Sequence, residues 1–189
     1  MAPGHLEDND VHYAYQGIHH FFDVYSLPCA LQYMESALRA ATSVGIWKKE
    51  EPFNLLYYME QTDTLCSAVF SIFYNHAERP GAITGNPADE PGTGNTGNFH
   101  DNSSVWNNPR SLTVRQYQDP YKAIKKFCNY MAPPGWKKFF KEVLESALTK
   151  APGDLYISYD LLKARLRVLQ MLEACHLIHM RTWANTGRK

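Results

Sequence analysis

Apolar side chains recur along this chain at steps of three and four, the spacing that gathers them on one face of an α-helix. Leu31, Met34, Leu38 and Ala41 form the first such row, opened by Ser26-Leu27-Pro28 and closed by Gly45. Serine suits the cap of a helix, and proline is tolerated in its first turn, where a missing N–H costs little. Glu51-Pro52 opens a second row in the same way, running through Leu56, Met59, Cys66, Phe70 and Phe73 to about residue 76. A parallel stripe of Leu65, Val69 and Ile72 widens it. A face that broad touches two neighbours, as a central bundle helix does.

The pattern then breaks. Residues 79–109 are crowded with Gly, Asn, Asp, Pro, Ser and Thr, which supply turns and resist regular structure. Residues 110–117 alternate weakly, which predicts an extended segment or a small hairpin. Asp119-Pro120 opens a third helix, through Ile124 and Phe127 to Met131, and Pro133-Pro134-Gly135 stops it. Trp136 to Thr149 forms a fourth helix. Asp154 or Ser158 starts the last, which carries Leu162, Leu166, Leu169 and Leu172 on to about Trp183.

The expected fold is therefore all-α: a bundle of four to five helices with one long polar loop between the second and third long helices. Residues 1–17 show no sustained period and read as a flexible N-terminal arm, docked through Tyr13 and Tyr15, with a short aromatic helix following over 18–25. Residues 18–183 make a single helical-bundle domain, 79–118 a long loop or irregular insertion within it, and 184–189 a tail.

Composition supports a packed domain. In 189 residues, 44% are hydrophobic and 20% charged, enough apolar surface to bury a core. Lysine plus arginine equals aspartate plus glutamate at 19 each, so no chain-wide field attracts nucleic acid or anionic lipid. The four cysteines, Cys29, Cys66, Cys128 and Cys175, are widely spaced, which predicts reduced, buried thiols. The start is polar and acidic, and no run of about 18 apolar residues occurs, so the expectation is a cytoplasmic protein with no membrane partner.

Familiar catalytic and phosphate-binding signatures are missing. The polar residues of interest stand where the helical step calls for apolar ones. On the last helix the row Leu162, Leu166, Leu169 continues to Glu173, His176 and Met180. Glu-x-x-His directs a carboxylate and an imidazole from one face, as in carboxylate-bridged metal sites of bundles. On the second helix the row is interrupted by Asp63, with Glu60 a turn earlier, and Glu35 borders the first.

Three functional expectations follow. The first is a non-catalytic binding or regulatory module, meeting a protein partner or a second copy of itself through a helix face or the polar loop. The second is a metal-dependent bundle oxidoreductase with Asp63, Glu173 and His176 as ligands to iron, manganese or zinc, Glu35 or Glu60 adding carboxylates, and His179 extending the set. The histidine pair His19-His20 with Asp23 is a further candidate ligand group. The third is a nucleic-acid accessory protein using Lys122, Lys125, Lys126, Lys137, Lys138 and Lys141 with Arg165 and Arg167. The neutral balance of charge argues against it.

Overall fold

The computed structural model describes residues 7–43, 46–75, 109–149 and 160–186. Among them the chain is all-helical, with seven helices: α1 (Glu7–Val24), α2 (Leu27–Thr42), α3 (Pro52–Tyr74), α4 (Val114–Gln118), α5 (Tyr121–Tyr130), α6 (Pro133–Leu148) and α7 (Leu161–Thr186). The polar stretch of 79–108 and the start positions Asp154 and Ser158 lie outside the described residues.

Residues 7–17 are not an arm; they are the first half of α1. Its buried face is Ala14, Ile18, Phe21 and Phe22, spaced by threes and fours. The aromatic row of 18–25 is thus the C-terminal half of a longer helix. Gly17 brings α1 close to α3: a Cβ built on it would stand 3.4 Å from the Ala68 Cβ.

Of residues 110–117 the second half, from Val114, is helical, while Thr113 before it has an extended backbone. Thr113 starts α4 with a capping box, its Oγ1 accepting from the Gln116 N–H at 3.3 Å while Gln116 Oε1 accepts the Thr113 N–H at 3.0 Å. Asp119 does act at the start of α5, its Oδ1 accepting the Tyr121 N–H at 3.2 Å. Pro133 opens α6 rather than merely ending α5, because a first-turn proline lacks only a donor that would have no partner there.

The helices pack on one another: α1 lies against α3 and α7, α2 against α6 and α7, α3 against α5 and α6, and α5 against α7. The centre is aromatic. Trp136 is fully buried and stacks on Phe127 at 4.2 Å, with Phe139 and Phe140 beside it, and its Nε1–H donates to the Phe127 carbonyl at 3.3 Å. A second cluster holds the link between α2 and α3. Tyr33 stacks on Tyr58 and lies near-parallel to Trp47, Lys49 sits over its ring at 4.0 Å, and its hydroxyl donates to Glu50.

The phase of α7 decides what its polar residues mean. At 100° per residue, Ala164, Val168, Met171, Leu172, Cys175 and Ile178 form one buried face, and from residue 168 on burial extends round the helix to Leu169, Gln170, Glu173, Ala174 and Leu177. The row read from sequence, Leu162, Leu166, Leu169 and Glu173, spans an arc of roughly 60° on the opposite side. Leu162 is 80% and Leu166 41% exposed. Further along the same row Leu169 and Glu173 are buried, so Glu173 stands where the exposed half of the row passes under cover. On α3 the rows hold: Met59, Cys66 and Phe70 and the stripe Leu65, Val69 and Ile72 are all buried, with Leu55, Tyr58 and Thr62 beside them, and Leu56 alone of the two rows is exposed. Asp63 falls half-buried at the edge of that face.

Candidate functional site

The outer face of α7 is not all solvent. Where it runs beside α2 it leaves a groove, and where it runs beside α4 it is covered by the segment leading into that helix. Glu173 sits at the junction and is 2% exposed. Its carboxylate accepts the Arg110 N–H at 2.8 Å, the Ser111 N–H at 2.9 Å and the Ser111 hydroxyl at 2.5 Å. Gln170 continues the contact, donating to the Ser111 carbonyl at 2.9 Å. Arg181 completes it by donating to the Tyr117 carbonyl at 2.8 Å and lying over the Tyr117 ring. The buried polar stripe of α7 is a clasp for residues 110–118, satisfying backbone groups that would otherwise be buried unpaired.

The proposed metal ligands are not brought together. Glu173 is committed to the clasp. His176 lies one turn on, largely buried, its ring edge-on to Phe22 at 5.1 Å and its Nδ1 without a partner. Burial, and secondarily His179, lowers its pKa to about 4. Asp63 is on α3, beside Cys66, whose thiol is pushed up by burial and then by that carboxylate. Among the described residues no three His, Cys, Asp or Glu side chains gather as a metal-binding group. The Glu-x-x-His spacing holds along the helix, but its two side chains serve different neighbours.

His19 of α1 does meet His179 of α7, Nδ1 to Nδ1 at 2.8 Å, a pairing 160 residues apart that no local spacing announces. His20, next in sequence, is exposed. The lysines of α5 and α6 are exposed, and three of them face acids of their own helix surface: Lys122 with Asp119, Lys138 with Glu142 and Lys141 with Glu145, each at 3.7 Å. Pairs of that kind dilute a positive patch.

Between α2 and α7 runs a groove of two adjoining cavities of about 580 Å³ each. Its apolar walls are Leu31 and Leu38 from α2, and Leu161, Leu162, Leu166 and Leu169 from α7. Arg165 bridges it to Glu35 at 2.5 Å, with both side chains nearly half exposed. Arg39 stands at one end and Arg110 at the other. The acids are engaged within the chain: Glu35 by Arg165, Asp160 by Lys163 at 2.9 Å, Glu173 by the 110–111 amides. What the groove offers outward is leucine, with Arg39 at its end.

No protein family, curated protein or solved structure matches this chain. No helix among the described residues is long and apolar enough to cross a membrane. The class the structure defines is an all-α helical protein.

Proposed function

We propose that this chain is a non-catalytic helical binding module, and that its docking surface is the groove between α2 and α7. The observation that carries the reading is the exposure of Leu162 and Leu166 on a long helix whose core face is elsewhere. Two leucines one turn apart, walled by Leu31, Leu38 and Leu169, form an apolar strip suited to a helix laid into it. The Arg165–Glu35 bridge across the strip is a surface pair, worth roughly 0–1 kcal/mol, so it opens at little cost.

The occupant is a protein segment with apolar side chains on one face and carboxylates on its flanks. Arg39 stands at the end of the groove while the groove's own acids are already engaged, so an acidic flank is matched there and a basic one opposed. The site lies on two helices held by the same core, which gives it a fixed shape before binding.

A fluorescent amphipathic peptide with leucines at i, i+3, i+4 and i+7 and glutamates beside them serves as the probe, titrated against the chain by anisotropy. The expected result is saturable binding that weakens about 30-fold in the Leu162→Ser/Leu166→Ser double variant, equivalent to about 2 kcal/mol of lost apolar burial. A lysine-flanked counterpart should bind more weakly. Binding indifferent to both changes overturns the assignment. Sedimentation of the free chain tests the competing occupant: a dimer broken by the same two substitutions replaces the acidic partner with a second copy.

A further inference from the structure

The segment leading into α4 is also a wall of the groove. Arg110 and Ser111 line its second cavity together with Leu31 of α2 and with Leu166, Leu169 and Glu173 of α7. The helical walls are fixed by the core, but this end is held mostly by polar bonds. Glu173 accepts from the Arg110 and Ser111 amides and the Ser111 hydroxyl, and Gln170 donates to the Ser111 carbonyl. Arg181, two turns further along α7 and outside both cavities, donates to the Tyr117 carbonyl. Leu112 adds one partly buried apolar side chain. A segment attached through so little apolar area belongs to the low-stability end of a fold and opens without the core unfolding.

Opening changes the groove in two ways. It removes the wall that Arg110 and Ser111 supply, and it strips Glu173 of its three donors inside a cavity lined with leucine. With the segment closed the carboxylate is 2% exposed and its charge is answered by two amides and a hydroxyl. With it open, a bare carboxylate stands beside Leu169 and opposes an occupant whose flanks are acidic. We propose that residues 110–118 are a strap that controls the groove: the occupant binds the strap-closed state, so binding holds the strap down and release of the strap weakens binding. The coupling is reciprocal, because both events draw on the same closed state. It rests on the groove reading above and adds the regulation of that site.

The test is hydrogen exchange of the whole chain with and without the glutamate-flanked leucine peptide at about ten times its Kd. The informative amides are those of Gln116, Tyr117 and Asp119, which bond within α4 and its caps and belong to residues that do not line the groove. In the free chain they should exchange faster than the amides of α6, the mark of a strap that opens by itself. An occupant restricted to the closed state divides that opening by 1 + [L]/Kd, so their exchange should slow about tenfold. Arg181→Met loosens the strap, so exchange in the free variant should quicken while the peptide still slows it about tenfold. At the same peptide concentration Leu162→Ser/Leu166→Ser should show almost no slowing. Saturable binding with the three amides unmoved keeps the groove and overturns the strap, whereas no saturable binding overturns both. Exchange of these amides no faster than that of α6 in the free chain also overturns the strap, and the wild-type comparison decides even if Arg181→Met does not fold.

Discussion

Replacing Glu173 by alanine tests the clasp that separates the structural from the metal-binding reading of this residue. The carboxylate takes three donors: the Arg110 and Ser111 amides and the Ser111 hydroxyl. The hydroxyl can turn to water, but the amides lose their acceptor beside a residue only 2% exposed. A buried donor left unpaired costs about 1–3 kcal/mol, so two give about 2–6 kcal/mol if the segment stays in place. It need not stay, because residues 110–118 can lift from α7 and solvate their amides, which holds the observed loss to about 2–4 kcal/mol. Urea unfolding measures the loss, and hydrogen exchange locates it. Protection should fall first in α4 and residues 110–113, with Trp136 fluorescence still native. Glu173→Gln should keep part of the stability, since one oxygen remains to accept. A loss below about 0.5 kcal/mol, or unchanged exchange in 110–118, refutes the clasp.

Other consequences follow from the same packing. Trp136→Ala removes the centre of the aromatic core and should cost about 3–5 kcal/mol in urea unfolding. Thr113→Ala breaks the capping box of α4 and should cost about 1 kcal/mol, felt in exchange of residues 114–118 and little elsewhere. All four thiols are free; Cys66, Cys128 and Cys175 are buried, while Cys29 is half-buried. A thiol reagent at pH 8 should thus modify Cys29 slowly, and the other three only on unfolding; burial, which pushes Cys128 up to about 12, keeps that thiol protonated.

Much of the fold was legible because the three-four step survives burial. Met34, Leu38 and Ala41 of α2, and Phe139, Phe140 and Val143 of α6, are in the core. The start of α1 was missed because its apolar row begins only at Ala14. A run of acids is an ordinary helix-start signal in a sequence, and Glu7, Asp8 and Asp10 could have extended the helix backward. The candidate site was harder to read for a geometric reason. On the first half of α7 two apolar faces compete, and the one that carries Leu162 and Leu166 is the exposed one. Small and soft residues, Ala164, Val168, Met171 and Cys175, fill the buried face because α5 packs tightly against it. Hydrophobicity alone ranks the faces the other way round. The His19–His179 contact joins opposite ends of the sequence, and nothing in either local pattern predicts it.

The docking groove is tested most directly by methyl NMR of the leucine-labelled chain as the glutamate-flanked peptide is added. Leu31, Leu38, Leu162, Leu166 and Leu169 should shift together and saturate at one affinity, with Leu65 and Leu172 in the core unmoved. Shifts confined to the lysine-bearing surfaces of α5 and α6, or no saturable shift in the five groove leucines, would contradict the assignment.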